Sequence, residues 1–399
     1  MDKIEELLHR GVDKIYPSIE ELEKVLKSGK KLTLYQGFDP TGAQLHLGHM
    51  LGLKKLSQWQ RAGHKVIFLI GDFTGMIGDP SGKTTARKML TKEEVLKNAE
   101  EYKKQAGKIL NFTGENPVEV KFNGDWLGKM SGLEFIRIAG LLSVQQVVER
   151  DLFQERQKNG QDVYMNEFLY PVMQAYDSVA MNVDLEIGGT DQMFNMLMGR
   201  KLMRHMLKKD KFVITTPLLA DSQGRKIGKT EGNVIGLTDH PNELYGKIMS
   251  LGDDVIVKGF EYLTDIPMEE IKEIEKAMQN GENPVTYKKR LAYEITRQLN
   301  SEGDAKNAQE HFEKTVQNRE LPSVIEEVQL SADDEEYISE DLLVDLNLAT
   351  SKAEAKRLFQ QGGVSIDDQR VNDGENPAIK DGMILKVGKR RVIRLRSPK

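Results

Sequence analysis

Two histidines, His46 and His49, stand three residues apart where a strand, a turn and a helix are predicted to follow one another. Residues 31–35 form a short apolar run typical of a strand, glycines and an Asp-Pro pair interrupt it, and apolar residues recur at helical spacing from Leu45. The free N–H groups and the dipole at a helix start attract anions. Residues three apart lie side by side on a helix, so the two imidazoles could contact phosphates as negative charge builds up on them.

Two other interpretations of the histidine pair stay open on these residues alone. The pair could belong to an ordinary packed helix, which is the commoner situation for two isolated histidines. It could also bind a metal, but zinc sites usually add a cysteine or a nearby acidic ligand, and the H-E-x-x-H spacing is absent. The pattern therefore favours nucleotide chemistry over metal binding.

A second polar set lies on a helix predicted over residues 167–181. Tyr170, Gln174 and Asp177 fall at positions i, i+4 and i+7, so one helix face carries a phenol, an amide and a carboxylate. A solvated helix surface would account for such a face. Apolar residues flank the set and indicate burial, however, and buried polar groups need hydrogen-bond partners. A bound ligand is the most economical partner.

Two segments rich in glycine and lysine are candidate phosphate sites. Residues 78–84 look like a Walker loop, but that motif requires a glycine where Ile77 stands, which disfavours a kinase or GTPase of that type. A glycine-rich turn with a lysine can still bind an anion. Residues 222–233 have no core periodicity and are predicted to be a loop, either an ordinary surface loop or a mobile phosphate clamp.

Composition limits the classes of protein that fit the chain. With 399 residues, 39% of them hydrophobic and 30% charged, the chain is long enough for two or three soluble globular domains. It contains no cysteine, which excludes disulfide bridges, thiolate zinc sites and cysteine catalysis, and which fits a reducing cytoplasm. The net charge of −5 means that local basic patches would have to bind any nucleic acid. No signal peptide or membrane-length apolar run is found, so we expect a cytoplasmic protein without membrane contact.

The order of predicted elements indicates an α/β domain, a helical region and a small α+β module. The continuous apolar run 65–70 is typical of a strand buried on both faces of a parallel sheet, and a helix is predicted over 133–150. Residues 239–322 are mostly helical in pattern, and the acidic residues 323–337 predict a linker. In the last module a capping box at Ser351 starts a helix, and the strands after it carry a basic stripe suited to phosphate contacts. The stripe comprises Lys386, Lys389, Arg390, Arg391, Arg394, Arg396 and Lys399.

The chain resembles the bacterial-type tyrosyl-tRNA synthetases of class I over nearly its whole length. The matching strings are LYQGFDPTGAQLHLGH, GDPSGK, LYPVMQAYD, EIGGTDQ and KIGKT, in the order and approximate spacing of that family. The C-terminal string SKAEAKRLFQQGGVSI…KVGKRRVIRL is similar to a small RNA-binding module shared with a small-subunit ribosomal protein, of the S-four type. The chain departs from the family at three places. Leu47 replaces an isoleucine, and Gln36 stands where many relatives have a small residue. The string KIGKT replaces KMSKS but keeps both of its lysines.

The resemblance implies an architecture, an activity and partners. It implies a Rossmann-like catalytic domain over 1–233 that includes the KIGKT loop, a helical anticodon-contacting domain over 234–322, a linker over 323–337 and an RNA-binding domain over 338–399. It also implies a homodimer that activates L-tyrosine with ATP and Mg²⁺ and transfers the tyrosine to the 3′ end of tRNA(Tyr), with no metal bound by the protein itself.

The resemblance also implies roles for individual residues. The phenolic hydroxyl of the substrate would be held by Tyr35 and Asp177, a pair that would reject phenylalanine because a missing hydroxyl leaves both groups unpaired. The substrate α-ammonium would contact Asp79, Tyr170 and Gln174, and its carboxylate would lie near Gln192. The ATP subsite would comprise Gly37, Asp39, His46, Gly48, His49, Asp191, Lys226 and Lys229. The groups acting on the phosphates would be Thr41, His46, His49, Lys83, Arg87, Lys226 and Lys229.

Three competing functions are weighed against this interpretation. A tryptophanyl enzyme would share the fold, but it would not be expected to pair Tyr35 with Asp177. A non-catalytic RNA-binding protein would not need the histidines and the loop lysines. A metalloenzyme on an α/β scaffold would contain stoichiometric metal after purification.

Overall fold

In a computed structural model of the chain, the described residues fall into two compact units. The first comprises residues 1–240 and 247–302, and the second comprises residues 241–246 and 303–399. The described residues are 2–79, 90–148, 151–221, 223–224, 227, 234–317, 325–330, 337–367, 369–372, 374–375, 377–388 and 391–396. Four of the residues predicted to act on the phosphates, Lys83, Arg87, Lys226 and Lys229, lie outside these ranges.

The first unit is built on a six-stranded sheet in the order β1-β6-β5-β2-β3-β4. Its strands are β1 (Lys14–Tyr16), β2 (Thr33–Phe38), β3 (Lys65–Ile70), β4 (Glu119–Phe122), β5 (Leu185–Gly189) and β6 (Phe212–Thr216). All neighbouring strands run parallel except β1, which pairs with β6 in the antiparallel sense. The chain builds outward from β2 in both directions, and ligands of such sheets bind beyond the carboxyl ends of the strands at that reversal.

Helices connect the strands of this sheet, and further helices follow β6 in the sequence. They are α1 (Lys3–His9), α2 (Ile19–Lys27), α3 (Leu47–Arg61), α4 (Thr74–Ile77), α5 (Lys92–Ala106), α6 (Gly124–Leu127), α7 (Gly132–Ala139), α8 (Val144–Val148), α9 (Asp151–Lys158), α10 (Met165–Met181), α11 (Met193–Leu207), α12 (Pro241–Met249), α13 (Ile256–Leu263), α14 (Met268–Gln279), α15 (Pro284–Leu299) and α16 (Glu302–Phe312). In the described part of the chain, none of the helices is both long and apolar enough to cross a membrane.

Local signals account for most of these elements. The predicted strand 65–70 is confirmed, and every residue after Lys65 in it is buried, as its apolar run requires. The helix predicted over 133–150 is wrong as a single element, because α7 ends at Ala139, Gly140 caps it and α8 starts afresh at Val144. The edge strand β1 was not foreseen, since three residues are too few to show a period of two.

The second unit contains a five-stranded sheet in the order β7-β11-β10-β8-β9. Its strands are β7 (Glu326–Gln329), β8 (Val364–Ile366), β9 (Gln369–Arg370), β10 (Ile384–Val387) and β11 (Arg391–Arg396), and its helices include α17 (Glu340–Asp345) and α18 (Lys352–Gln360). Ser351 caps α18 as predicted, since its hydroxyl accepts the N–H of Glu354, but the predicted capping box is incomplete because the Glu354 carboxylate accepts the N–H of Thr350 and not that of Ser351. The segment expected to be a linker contains β7, which pairs in parallel with β11.

Candidate active site

A cavity of about 250 Å³ lies beyond the carboxyl ends of the central strands of the first sheet. Every predicted site residue within the described ranges contributes to its wall, including residues far apart in the sequence. These residues are Tyr35, Gly37, Asp39, Thr41, His46, Gly48, His49, Asp79, Tyr170, Gln174, Asp177, Asp191 and Gln192. The fold thus brings together a set that the sequence distributes over four separate motifs.

The two histidines are held at the start of α3 by hydrogen bonds to backbone N–H groups. His46 is the N-cap residue, and its Nδ1 accepts the N–H of Gly48 at 3.1 Å. The Nδ1 of His49 accepts the N–H of His46 at 3.1 Å, and the two ring centroids are 3.9 Å apart. Because both Nδ1 atoms act as acceptors, the proton of each neutral ring is on Nε2, where it can serve as a donor. A Cβ at Gly48 would lie 3.0 Å from Cε1 of His46, so glycine permits this close approach.

A short segment after the KIGKT loop pairs with the backbone of the histidine motif. The N–H of Leu47 donates to the carbonyl of Ile235 at 2.9 Å, and the N–H of Leu237 donates to the carbonyl of Leu45 at the same distance. His46 and Gly236 form the antiparallel bridge between these two bonds. One anchor of the loop is therefore fixed directly on the start of α3, a relationship that no local sequence signal indicates.

Asp177 is buried and lines the cavity, at a part of the wall that we call its closed end, where two side-chain donors hold it. Its Oδ1 accepts the indole N–H of Trp126 at 2.7 Å and its Oδ2 accepts an amide N–H of Asn123 at 3.3 Å. Burial raises the pKa of Asp177 well above its usual value, and the two donors oppose that shift. Trp126 and Asn123 were not predicted as site residues, because they lie on the short helix α6 and just before it, outside the matched strings.

Tyr35 lines the cavity together with Asp177, but the hydrogen-bond partner of its hydroxyl is Ser178. Its hydroxyl is 2.8 Å from Oγ of Ser178, and burial raises its pKa well above the usual value, with Glu186 and Asp177 adding to the shift. Ser178 also contacts Lys211 and, at 3.3 Å, Glu186. Lys211 and Glu186 form a buried ion pair below the cavity, and Glu186 lines the cavity itself. In the sequence, the pair is indicated only by one charged residue in or next to each of two apolar strands, Glu186 in β5 and Lys211 just before β6.

The middle of the cavity contains two carboxylates with polar partners. Tyr170 donates its hydroxyl proton to Oδ2 of Asp39 at 2.7 Å, and Gln192 donates an amide N–H to Oδ2 of Asp79 at 2.6 Å. Burial raises the pKa of Tyr170 well above its usual value, and the charges of Asp39 and Asp79 raise it further. Asp39 was predicted in the ATP subsite, but its contact with Tyr170 also joins it to the amino-acid end. Two carboxylates here suit a cationic group of a ligand.

Asn195 joins the two glutamines of the site and was missed by the sequence analysis. Its amide donates to Oε1 of Gln174 at 2.8 Å and to Oε1 of Gln192 at 3.0 Å. The residue is fully buried on α11, and its Oδ1 has no hydrogen-bond partner. The arrangement turns the N–H end of Gln192 toward Asp79. Within the described residues, no group of three His, Cys, Asp or Glu side chains could hold a metal ion.

Comparisons with known proteins agree on one family. A family model described as tRNA synthetases class I (W and Y) matches residues 27–317. The chain is 45% identical to the tyrosine–tRNA ligase of Thermotoga maritima over 392 residues, which cover 98% of this chain and 96% of that protein. It is 42% identical to the tyrosine–tRNA ligase of Geobacter metallireducens over 380 residues, which cover 94% of this chain and 93% of that protein. A solved structure, a C-terminally truncated mitochondrial tyrosyl-tRNA synthetase from Aspergillus nidulans, matches with a TM-score of 0.66 and 25% identity over 79% of this chain and 93% of that one.

Proposed function

We propose that this cavity binds L-tyrosine and ATP side by side, because the chain belongs to the class I tRNA synthetases of the tryptophan and tyrosine family and charges tyrosine onto tRNA. The observation that carries the assignment of the pocket is the buried carboxylate of Asp177 at its closed end, held by Trp126 and Asn123. A carboxylate that is oriented but not neutralised by an ion pair is suited to accept the proton of a phenol.

The phenol end of the proposed pocket distinguishes tyrosine from its competitors. The phenolic O–H donates to Asp177, and the phenolic oxygen accepts from Tyr35. Phenylalanine in the same place would leave both groups without partners, and such sites reject the analogue that lacks the hydroxyl by a large factor. Tryptophan would present an indole N–H that can donate but cannot accept, so Tyr35 would be left unpaired.

The α-ammonium and carboxylate of tyrosine are assigned to the middle of the cavity. Asp79, Tyr170 and Gln174 surround the ammonium, with the charge of Asp79 as its main attraction. Gln192 lies next to Asp79 and contacts the substrate carboxylate through its amide N–H. This orientation directs the carboxylate toward the start of α3, where the ATP phosphates are assigned.

The first reaction needs positioning and charge stabilisation more than proton transfer. The tyrosine carboxylate, already ionised, attacks the α-phosphorus in line, and pyrophosphate leaves with the bonding electrons. The Nε2–H groups of His46 and His49 and the N–H groups at the start of α3 donate to the phosphate oxygens as their charge grows. We assign Thr41, Lys83, Arg87, Lys226 and Lys229 to the leaving pyrophosphate. A hydroxyl of the terminal ribose of tRNA then attacks the carbonyl carbon of the adenylate and displaces AMP.

ATP is proposed to enter as its magnesium complex. Mg²⁺ in nucleotide sites usually keeps several waters and takes most of its other ligands from the phosphates, so it needs only one or two carboxylates from the protein. The remaining residues of the ATP subsite, which are Gly37, Asp39, Gly48 and Asp191, are assigned to ribose and phosphate contacts.

The C-terminal module is proposed to bind tRNA. Arg394 and Arg396 extend from the same side of β11, and Lys386 lies on the neighbouring strand β10. Glu327 on β7 pairs with both arginines, so part of the stripe is neutralised in the free protein. We retain 1–233, 234–322 and 338–399 as the proposed catalytic, helical and RNA-binding domains, with 323–337 between the last two.

A homodimer in the cytoplasm is proposed as the active form. Large apolar side chains are exposed on α7, α8 and the start of α10, where Ile136 is 67%, Val144 71% and Met165 71% accessible. Contiguous exposed apolar patches mark interfaces with other proteins, and α7 packs against α10. Since the described residues give no reason for a hetero-partner, a second copy of the chain is the simplest occupant.

The assay that tests the proposed function is amino-acid-dependent exchange of pyrophosphate into ATP, run separately with each of the twenty amino acids. We expect exchange with L-tyrosine and none above background with phenylalanine or tryptophan. Exchange at an equal rate with either of those two would overturn the assignment of Tyr35 and Asp177 to the phenol.

A further inference from the structure

We propose that the buried pair of Lys211 and Glu186 orients the hydroxyl proton of Tyr35 toward the substrate, with Ser178 as the link between the pair and the phenol. Lys211 and Glu186 are thereby positioning residues for the selection of tyrosine, although neither of them contacts the phenolic oxygen. This inference rests on the proposed function of the cavity, in which Tyr35 and Asp177 bind the phenol.

The four side chains form one buried cluster below the closed end of the cavity. Tyr35 on β2 and Glu186 on β5 are direct neighbours across the sheet, and Lys211 immediately precedes β6, the next strand. Ser178 on α10 is fully buried, and Tyr35, Glu186 and Lys211 are each at most 2% accessible. The ammonium of Lys211 lies 5.8 Å from the centroid of the Tyr35 ring. Ser178 and Lys211 are therefore closed to water, whereas Tyr35 and Glu186 also line the cavity.

The donors and acceptors of the cluster determine where each proton lies. Lys211 donates both to Oγ of Ser178 and to Oε2 of Glu186, because an ammonium has donors only. Ser178 has one proton of its own, and two acceptors compete for it. The oxygen of Tyr35 is 2.8 Å away, whereas Oε2 of Glu186 is 3.3 Å away and is already paired with Lys211. Ser178 therefore donates to Tyr35. The Tyr35 hydroxyl also interacts with Glu186, and because Lys211 neutralises that carboxylate, the Tyr35 proton can turn toward the cavity.

The direction of the hydrogen bonds from Lys211 through Ser178 to Tyr35 decides whether the cavity offers a donor or an acceptor to a phenol. Asp177 as a carboxylate can only accept, so it takes the phenolic proton. The phenolic oxygen then needs a donor, and Tyr35 can supply one only if its own proton does not go to Ser178. In the opposite arrangement Tyr35 would present lone pairs alone, and two acceptors would face a single phenolic proton.

This role gives a reason for an ion pair that stability alone does not explain. A buried ion pair contributes little to the free energy of folding compared with apolar residues of the same volume, because both charges lose their hydration. Neutralising Glu186 with Lys211 removes the stronger competitor for the Ser178 proton. Without the lysine, the unpaired carboxylate of Glu186 would attract the Ser178 proton, and Tyr35 would then donate its proton to Ser178.

The test compares two substitutions of similar length at position 211. Lys211→Met cannot donate, and we expect it to lower the ratio of kcat/KM for tyrosine over phenylalanine in pyrophosphate exchange by roughly tenfold, the size of one hydrogen bond. The KM for ATP should stay within about twofold of the native value. Lys211→Gln lacks the charge but keeps amide N–H donors for Ser178 and Glu186, so it should lower the ratio less than Lys211→Met does. In a Tyr35→Phe background, Lys211→Met should have no further effect on the ratio, because it acts through that hydroxyl.

The double variant Lys211→Met with Glu186→Gln keeps the test decisive if Lys211→Met does not fold. It contains no unpaired buried charge, and the amide N–H of the new glutamine can donate to Ser178 in place of the ammonium. We expect a tyrosine-over-phenylalanine ratio within about threefold of the native one, which supports the proposal. A folded double variant that has lost tenfold or more would overturn it, as would a folded Lys211→Met variant with an unchanged ratio.

Asp177→Asn separates a failure of this inference from a failure of the proposed function. If Asp177→Asn leaves tyrosine selection unchanged, the pocket itself has been assigned wrongly. If Asp177→Asn reduces selection while a folded Lys211→Met variant does not, the pocket stands and only the role of Lys211 and Glu186 is wrong.

Discussion

The indole N–H of Trp126 donates to Oδ1 of Asp177 at 2.7 Å, although the two residues are 51 positions apart in the sequence. This bond orients the carboxylate at the closed end of the cavity and stabilises its ionised form. It opposes the effect of burial, which raises the pKa of Asp177 well above its usual value. The ionised carboxylate is the form that can accept the phenolic proton, so tyrosine binding should depend on the pH through this group.

The pH dependence of kcat/KM for tyrosine should show this titration. Because the pKa of Asp177 is raised, activity should be lost as the pH falls through that raised value, at a higher pH than an ordinary aspartate would give. Trp126→Phe removes one of the bonds that favour the charged form, so the acid limb should move to still higher pH. Asp177→Asn should lack the limb. An acid limb at the same pH in the native protein and Trp126→Phe would contradict this account.

Asn195→Ala should raise the KM for tyrosine with a much smaller effect on the KM for ATP. The amide of Asn195 fixes Oε1 of both Gln174 and Gln192, and its loss frees the two side chains that we assign to the substrate ammonium and carboxylate. Losing two hydrogen bonds to neutral partners predicts roughly a tenfold rise or more. Steady-state exchange kinetics measure both constants. Asn159→Ala, at an exposed position after α9, is the matched control and should match the native protein.

His64 should make the free energy of unfolding depend on pH in the acid range. Its Nδ1 accepts the N–H of Leu32 at 3.1 Å, and burial lowers its pKa from 6.5 to about 4, with Lys31 adding to the shift. The unfolded chain takes up a proton as the pH falls below 6.5, whereas the folded chain does so only near pH 4. Stability contributed by the neutral ring is therefore present above pH 6.5 and is lost as the pH falls toward 4, by at most about 3 kcal/mol.

Urea unfolding of His64→Asn across that range measures the effect. The asparagine can still accept from Leu32 but does not titrate, so its stability should fall less steeply than that of the native protein. His205→Asn, at an exposed histidine, should follow the native curve. If the free energy of unfolding of His64→Asn falls with pH as steeply as that of the native protein, other groups cause the acid sensitivity.

A chain that ends after Gln317 should retain tyrosine-dependent exchange and lose much of its tRNA charging. That residue is the last one matched by the family model, and the cut removes the C-terminal sheet including β7. Fewer phosphate contacts release fewer counterions, so tRNA binding should weaken and its dependence on salt concentration should become shallower. Filter binding at several salt concentrations measures both. If the shortened chain charges tRNA as fast as the full-length chain at moderate salt, the module has no role in tRNA binding.

The site residues that the family resemblance implies line one cavity wherever the structure describes them, and the elements that carry them have local signals in the sequence. The buried strand 65–70 and the face of α10 with Tyr170 and Asp177 follow from short-range periodicity, whereas His46 is the N-cap of α3 and not a residue within the helix. The missed groups depend on strand order instead. Glu186 meets Lys211 only because β5 and β6 are neighbours in the sheet, and no spacing in the sequence encodes that neighbourhood. For the same reason β7 could not be recognised in an acidic segment, since its partner β11 lies at the other end of the module.

The most direct test of the central claim is the ratio of kcat/KM for tyrosine over phenylalanine in pyrophosphate exchange, measured for the native protein and for Asp177→Asn. The substitution preserves the size of the side chain and replaces an oxygen acceptor by an amide. If Asp177 recognises the phenol, the native ratio is large and the variant lowers it by at least about 100-fold. A folded variant whose ratio equals the native ratio would contradict the account, because tyrosine would then be selected somewhere other than at the closed end of this cavity.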